Sequence, residues 1–301
     1  MLSILIPVYN FDCSGLVHEL NRQCKEMQYD YEIILVDDNS LPSIREMNRL
    51  LGQVISIQYI QLEKNIGRSK IRNFLQSKAL GDYLLFLDCD SGICTKSFIK
   101  DYIDNCKGEI VVCGGRVYSE KKPENENKLL HWKYGTQKES QKLESRQKNP
   151  YRSFMTNNFL ISKSVFRQLS FDEQITGYGH EDSLFGIELE NLNIKILHIE
   201  NPVIHLDIES SEIFLKKNVE AIKNLIQIEK KYPELHIENK IKLLASFHRL
   251  KKLRIIFIYR SLFSIFGKFL ERNLFGKYPN MLIFSLFKLG IYIQQSGNKT
   301  S

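Results

Sequence analysis

The sequence predicts an α/β fold with a mostly parallel central sheet, flanking helices and a helical appendage at the C terminus. Over the first 120 residues, apolar strand-like runs alternate with runs of helical spacing, an order typical of parallel sheets covered on both faces. Two of the strand-like runs end in aspartates, and the composition changes after about residue 210. Ligands of such sheets bind beyond the carboxyl ends of the strands, so the aspartates mark the expected site.

Each predicted element rests on its own hydrophobic spacing. The first helix is predicted where Leu16, Leu20, Cys24 and Met27 recur three or four positions apart. The predicted strands are Leu2–Val8, Glu32–Val36, Ile55–Leu62, Tyr83–Leu87, Ile110–Val117, Asn158–Ile161, Lys195–Ile199 and Val203–Leu206. The later predicted helices are Ile44–Leu51, Arg68–Leu80, Thr95–Cys106, Val165–Leu169, Ser183–Asn191 and Glu212–Tyr232. The polar segment 119–149 is expected to be a long loop with some helix.

The charge is distributed unevenly along the chain. Apolar residues make up 43% of the 301 residues and charged residues 26%, which is ordinary for a globular protein, and the net charge is +7. From Lys216 to the end there are 17 Lys and Arg residues against 5 Asp and Glu residues, so a basic tail follows an acidic body. The six cysteines include no Cys-x-x-Cys pair, which favours reduced thiols and a cytoplasmic protein over zinc or disulfides.

The most informative short motif is Asp88-Cys89-Asp90, directly after the apolar run Tyr83–Leu87. Two carboxylates at the end of a buried strand offer hard oxygen ligands of the kind that Mg²⁺ and Mn²⁺ prefer. Such cations in turn hold phosphates, so the motif indicates a nucleotide diphosphate bound through a metal. Asp-x-Asp also occurs in solvated loops, and the interpretation depends on the motifs around it.

Five motifs together resemble the inverting family 2 glycosyltransferases of the GT-A fold. The resemblance covers residues 1 to about 206 and rests on the order and spacing of these motifs. They are Leu2–Asn10 with Val36–Ser40, Asn65–Arg68 with Arg72-Asn73, Leu87–Asp90, Phe171–Glu173 and Gly177–Asp182. The tail after about residue 210 is not covered by them.

The resemblance implies a nucleotide pocket around the first strand. Pro7 and Tyr9 would border the nucleobase, and Asp38 would accept a hydrogen bond from an imide N–H of uracil. A turn-capping role is the alternative for Asp38 and its neighbour, because Asp favours turns and helix N-caps. Asn65 would also contact the nucleotide. Arg72 would pair either with phosphate or with a carboxylate of the site.

The metal and the catalytic base are likewise implied by the resemblance. Asp88 and Asp90 would face the ribose and a Mn²⁺ or Mg²⁺ ion, with Asp90 the more direct ligand and His205 completing the metal site. His198, at similar spacing, is the alternative histidine, although its place inside Ile196–Ile199 favours packing. Asp182 would take the proton of the acceptor hydroxyl in a single displacement with inversion. An acidic residue at a helix start is also favoured by the helix dipole, which is the structural alternative for this position. Glu181 would bind acceptor or hold the loop.

The tail predicts contact with a membrane surface. Lys and Arg alternate with Phe, Leu and Ile through residues 240–295, and neither apolar run reaches the roughly 20 residues of a spanning helix. The alternative is a pair of helices packed on the catalytic body. The expected domains are 1–210, the catalytic domain with halves 1–118 and 119–210, and 211–301, a basic helical region. The expected location is cytoplasmic, at the inner face of the membrane.

The sequence leaves alternative functions open. The favoured one is transfer of a sugar from a nucleotide-sugar donor, a UDP-sugar, to a glycan or lipid-linked saccharide. A nucleotidyltransferase acting on sugar phosphates would want a glycine-rich basic loop after the first strand, where this chain has Tyr9–Asp12. A non-catalytic, membrane-associated nucleotide-sugar binder is the third possibility, although the set of acidic motifs argues for catalysis. No motif that reads nucleic acid is present in the sequence.

Overall fold

A computed structural model describes residues 1–297. These residues hold ten strands, β1 Leu2–Val8, β2 Tyr31–Asp37, β3 Ile57–Gln61, β4 Tyr83–Leu87, β5 Ser91–Ile93, β6 Val111–Cys113, β7 Arg116–Val117, β8 Asn158–Ser162, β9 Ile196–His198 and β10 Val203–His205. Their α-helices are α1 Ser14–Met27, α2 Pro42–Arg49, α3 Arg68–Lys78, α4 Phe98–Ile103, α5 Leu129–Tyr134, α6 Leu143–Lys148, α7 Lys163–Gln168, α8 Glu181–Asn191, α9 Ser211–Lys231, α10 Lys242–Lys252, α11 Ile256–Leu274 and α12 Met281–Gly297.

The main sheet has the strand order β3-β2-β1-β4-β8-β6-β9. Strands β3, β2, β1 and β4 are mutually parallel, as predicted, whereas β8 runs antiparallel to both β4 and β6. In this register Val8 lies opposite Asp37. The ends of β1, β2 and β4 therefore deliver their following residues to one edge of the sheet, where the site was expected.

Both faces of the main sheet are covered by helices. On one face Ile4, Ile6 and Leu35 pack with Leu20 of α1 and Phe98 of α4. On the other face the alternate strand residues pack with α3, α7 and α8. This cluster includes Leu5, Ile34, Phe86, Leu75, Phe166 and Phe185. Since successive strand residues point to opposite faces, the continuous apolar runs of β1, β2 and β4 match a sheet buried on both sides.

A second sheet of three strands, in the order β5-β10-β7, was not predicted as such. The predicted strand Ile110–Val117 is divided at Gly114-Gly115 into β6, in the main sheet, and β7, in the small one. Gly115 has a φ of +93°, and a Cβ on Gly114 would lie 2.3 Å from the Asn201 carbonyl oxygen. Only glycine fits this close approach, which explains why the chain can change sheets there.

The chain divides into two compact units. The first unit comprises Met1–Tyr118, Ser140–Thr176 and Glu181–Asp207 and contains both sheets. The second comprises Ser119–Glu139, Gly177–His180 and the described chain from Ile208 onward, and it is helical. Its own core includes Leu130, Phe214, Phe263, Phe284 and Phe287. Within residues 1–297, no helix combines the length and the apolar character needed to cross a membrane.

Candidate active site

Asp37 and Asp38, at the end of β2, each hold a neighbouring backbone segment. Asp37 accepts the backbone N–H of Ser40 at 2.7 Å and the hydroxyl of Tyr59 at 3.0 Å. The Asp38 carboxylate accepts the backbone N–H groups of Ile66 at 2.6 Å and Gly67 at 3.0 Å. The Asp38 side chain is only 5% exposed, and burial raises its pKa. Both aspartates therefore stabilise turns, and contact of Asp38 with a nucleobase stays a prediction.

Three other residues that were predicted to contact the nucleotide lie near the same strand ends. The amide of Asn65 donates to the backbone carbonyl of Asp38 at 3.2 Å, so it helps hold the loop that begins α3. Pro7 lies in β1 opposite Val36, and Tyr9, just beyond β1, is exposed. Tyr9 and Asn65 are both exposed, so solvent reaches each of them.

Asp88 is surrounded by three arginines. Its carboxylate lies 2.7 Å from Nη2 of Arg72, 3.3 Å from Nη2 of Arg116 and 3.7 Å from Nη2 of Arg68. Arg72 is 1% exposed; burial lowers its pKa, and the charge of Asp88 opposes that shift. Phosphate or a carboxylate was the predicted partner of Arg72, and the structure has the carboxylate. The guanidinium groups around Asp88 supply N–H donors of the kind that bind phosphate oxygens.

Asp90 lies beside His205. The small sheet explains the contact, because β5 and β10 pair antiparallel with Ser91 opposite His205. Nδ1 of His205 lies 3.3 Å from Oδ2 of Asp90. Burial favours a higher pKa for Asp90, but the contact with His205, followed by the charges of Arg116 and Arg68, outweighs it and holds the pKa at about 2. Asp90 is therefore ionised at neutral pH.

The residues at Asp90 fit a hard divalent cation in part. Oδ1 of Asp90 is buried and has no hydrogen-bond partner among the described residues, so one carboxylate oxygen remains for a ligand. Asp90 and His205 are adjacent, whereas Asp88 is occupied by arginines. No group of three or more His, Cys, Asp and Glu side chains is assembled for a metal within residues 1–297. Two protein ligands are nevertheless compatible with Mg²⁺ or Mn²⁺ held largely by water and substrate phosphates.

His198, the other histidine near a late strand end, is structural. Its Nε2 lies 2.9 Å from the Pro150 carbonyl oxygen, and its Nδ1 lies 3.3 Å from Nη1 of Arg146. Burial lowers its pKa, so the ring is neutral near pH 7. Both ring nitrogens are occupied, which leaves His205 as the histidine beside Asp90.

Glu181 and Asp182 lie in the first turn of α8, which begins two residues before the predicted start at Ser183, and they differ in environment. Glu181 accepts from Nε of Arg68 at 2.6 Å; burial favours a higher pKa, but the charges of Arg68 and Arg72 keep it below the usual value. Burial, and secondly the charge of Glu181, raise the pKa of Asp182 to about 6. The Asp182 carboxylate also accepts the backbone N–H of Ser183 at 2.6 Å. One carboxylate is thus tied down, while the other can exchange a proton near neutral pH.

Arg68 and Arg116 were not among the predicted site residues. Arg68 contacts both Asp88 and Glu181, so a single side chain connects the end of β4 with the start of α8. The only available sequence signal for Arg68 was its place in the Asn65–Arg68 motif. Arg116 follows the double glycine that divides β6 from β7, and its direction depends on a chain bend that hydrophobic spacing does not reveal.

The glycine loop ahead of α8, Gly177–His180, is held by α9 within the second unit. The amide of Asn224 donates to the backbone carbonyl oxygens of Tyr178 at 3.1 Å and Gly179 at 3.3 Å. Gly179 has a φ of +96°, and a Cβ there would lie 2.5 Å from Cβ of Ala221. Glycine is therefore required both for the backbone conformation and for the close approach to α9.

Gly179→Ala should lower the free energy of unfolding by about 1–3 kcal/mol, because the new methyl group meets Ala221 and the φ is unfavourable for alanine. Urea unfolding followed by circular dichroism measures the change. Gly15→Ala is the matched control, since Gly15 lies in α1 with nothing within 4 Å of an added Cβ. Equal midpoints for both variants would contradict a clamped loop.

Comparison with known proteins places the chain among glycosyltransferases. Residues 3–170 match the family model described as glycosyl transferase family 2. Chondroitin synthase of Escherichia coli is 28% identical over 222 residues, which are 62% of this chain and 32% of that protein. The uncharacterized glycosyltransferase YfnE of Bacillus subtilis (strain 168) is 26% identical over 239 residues, 64% of this chain and 61% of that protein. The chain thus spans less than two thirds of the length of either relative.

Among solved structures, the chain is similar to a mannosyltransferase from Pyrobaculum calidifontis determined with GDP-Man and Mn²⁺. The TM-score is 0.61 at 13% identity, and the match covers 99% of this chain and 87% of that one. At this identity the likeness shows the fold alone. It confirms the GT-A fold that the motifs predicted. The predicted C-terminal helices are present in the structure as α9 to α12.

Proposed function

Since the chain belongs to glycosyl transferase family 2 and is related to enzymes that synthesise polysaccharides, we propose that it transfers a sugar from a UDP-sugar to a hydroxyl of a glycan or lipid-linked saccharide, with inversion. The observation that carries this proposal is the double contact of Arg68. It bonds Glu181 beside the candidate base and lies 3.7 Å from Asp88 on the candidate donor side. Groups for the leaving diphosphate and for the acceptor proton are therefore within reach of one side chain.

In the proposed reaction Asp182 is the catalytic base. An acceptor hydroxyl is a weak nucleophile, and it attacks the anomeric carbon as a carboxylate takes its proton. A pKa of about 6 suits this role, because the group is mostly ionised at neutral pH and still accepts a proton readily. Glu181, held by Arg68, keeps the first turn of α8 in place and is available to orient the acceptor.

The donor diphosphate is proposed to lie between Asp90 and the arginines around Asp88. Asp90 and His205, with Asp88, would hold Mn²⁺ or Mg²⁺, and a cation bound there would supply charge neutralisation for the leaving diphosphate. Arg68 and Arg116 contact the Asp88 carboxylate, and their guanidinium groups can also donate hydrogen bonds to phosphate oxygens.

The nucleobase is proposed to lie beyond the ends of β1 and β2, bordered by Pro7 and Tyr9. Asp38 would accept the uracil imide N–H, with Asn65 and the buried Arg72 supporting the loop and Asp88. Each carboxylate oxygen of Asp38 already accepts one backbone N–H and retains a second lone-pair site. The choice of UDP rests on this acceptor group.

The domain division and the location belong to the same proposal. Residues 1–210 would form the catalytic domain, with 1–118 serving the donor and 119–210 the acceptor. Residues 211–301 would form a basic helical region, whose part 240–295 contacts the cytoplasmic face of a membrane. A lipid-linked or growing surface glycan would be presented at such a face.

A screen of nucleotide sugars with Mn²⁺ and short glycan acceptors tests the proposed activity. We expect nucleoside diphosphate release with a UDP-sugar, and NMR of the product should show the anomeric configuration opposite to that of the donor. Retention of configuration would contradict a single displacement by way of Asp182. Pyrophosphate release from a nucleoside triphosphate and a sugar phosphate would support the nucleotidyltransferase alternative instead.

A further inference from the structure

The outer face of α11 is a continuous exposed apolar surface. Six of its side chains are between 51% and 77% exposed and recur at helical spacing, namely Phe257, Ile258, Leu262, Ile265, Phe266 and Phe269. More than half of the large exposed apolar side chains among the described residues lie between Leu253 and Leu286. A cluster of this kind marks an interaction surface rather than the scattered apolar residues of an ordinary protein exterior.

The orientation of α11 is fixed by its opposite face. Phe263 and Leu274 are buried, and the Phe263 ring packs edge-on against Phe287 of α12 with centroids 5.8 Å apart. Tyr259 donates its hydroxyl hydrogen to the Leu286 carbonyl oxygen at 2.8 Å, and Arg260 donates to the Ile293 carbonyl oxygen at 3.1 Å. These contacts prevent the helix from rotating its outer residues into the core, so their exposure is built into the packing of the second unit.

Exposed basic side chains flank the outer face along the chain. Arg249, Lys251, Lys252 and Arg254 precede the helix, and Lys268, Arg272 and Lys277 lie along and beyond it. From residue 249 to residue 277 the chain has eight Lys and Arg residues and a single acidic residue, Glu271. Basic side chains beside an apolar helix face are complementary to a surface that is anionic outside and apolar beneath.

We propose that α11 lies in the interface of a bilayer that contains anionic lipid, with its outer face toward the acyl chains and the flanking basic residues on the headgroups. This inference rests on the proposed function and names the surface through which the enzyme meets a lipid-linked acceptor. Self-association through the same face would bring two strongly basic rims together, which like-charge repulsion disfavours. Since no described helix can cross a membrane, the binding is to the membrane surface.

Sedimentation of the full chain with vesicles tests this surface. We expect binding to vesicles of phosphatidylcholine with phosphatidylglycerol, weakened at least tenfold when the anionic lipid is omitted. The double variant Ile265→Glu with Phe269→Glu should lose at least tenfold in partitioning, and Lys251→Glu with Lys252→Glu should lose a similar factor. Leu192→Glu is the matched control, because Leu192 is an exposed leucine of the first unit, and its partitioning should not change.

A second readout does not depend on disruptive variants. The chain has one tryptophan, Trp132, so Phe269→Trp adds a second reporter whose fluorescence brominated lipids should quench, whereas Leu192→Trp should not respond. Unchanged partitioning of the double variant, or no quenching at position 269, would overturn the proposal. So would light scattering that shows a dimer dissolved by Ile265→Glu with Phe269→Glu, since the face would then join two copies. Vesicle binding without any sugar transfer would refute only the proposed enzyme activity.

Discussion

Asp182→Asn is expected to lower the rate of sugar transfer by about 10²–10⁴-fold, the usual contribution of a general base. Asparagine keeps the shape of the side chain and can still accept from the Ser183 N–H, but it cannot take the acceptor proton. Affinity for nucleotide and metal should stay within a factor of about two, because Asp182 contacts neither the nucleotide nor the metal in the proposed site. Single-turnover transfer and UDP titration measure the two effects separately.

The control for Asp182 is an acidic residue in another first helical turn. Glu212 lies in the first turn of α9 and is exposed, so Glu212→Gln removes the same favourable interaction with a helix dipole. We expect it to leave transfer unchanged. Transfer by Asp182→Asn at the wild-type rate would show that the acidic pair only stabilises the start of α8.

The dependence of the transfer rate on pH gives an independent test of the environment assigned to Asp182. The base must be ionised, so the transfer rate should fall as the pH drops through about 6, the pKa of Asp182. The charge of Glu181 contributes to that raised pKa, and Glu181→Gln should therefore move the acidic limb to lower pH. A limb that stays in place, or moves upward, would contradict the assigned environment of Asp182.

Asp90→Asn should weaken Mn²⁺ binding by at least about 10–100-fold, since even groups that only support metal ligands contribute that much. Replacing one oxygen of Asp90 with an amide removes the negative charge and the side of the carboxylate that a cation would use. Electron paramagnetic resonance of free Mn²⁺ in the presence of UDP measures the affinity. Transfer should fall with it, because the leaving diphosphate loses its neutralising ion.

Asp88→Asn distinguishes a metal ligand from a structural partner of the arginines. Removing the Asp88 charge leaves the buried Arg72 without its closest carboxylate, so the free energy of unfolding should fall by roughly 3 kcal/mol. Asp82→Asn is the control, because Asp82 is an exposed carboxylate near the start of β4.

For Asp90→Asn, unchanged Mn²⁺ affinity together with full transfer would remove Asp90 from the metal site.

Much of the fold follows from local patterns. The strands β1, β2 and β4 are continuous apolar runs because both faces of the sheet are buried, and such runs are easily found in the sequence. The helix Ser183–Asn191 was likewise predicted, and in the structure α8 begins two residues earlier, at Glu181. By contrast, the division of β6 from β7 depends on two glycines and on a carbonyl from Asn201, a contact across the fold that periodicity cannot encode.

The site was predictable in its residue types and less so in its pairings. The sequence motifs identified Asp88, Asp90 and His205 as candidate metal ligands and Asp182 as the candidate base. They did not reveal that Arg68 and Arg116 would contact Asp88 as well as Arg72, because these contacts join segments that are separate in sequence. The pairing of Asp90 with His205 depends on the register of β5 against β10, which three-residue strands do not specify on their own.

The central claim is that this site binds a nucleoside diphosphate through a divalent cation. Calorimetric titration of UDP into the full chain, once with Mn²⁺ and once with EDTA, tests it most directly. We expect UDP to bind in the presence of Mn²⁺. Its affinity should fall at least tenfold in EDTA and in the Asp90→Asn variant, and GDP should bind more weakly than UDP. Equal binding with Mn²⁺ and EDTA, or no binding of UDP under either condition, would contradict the account.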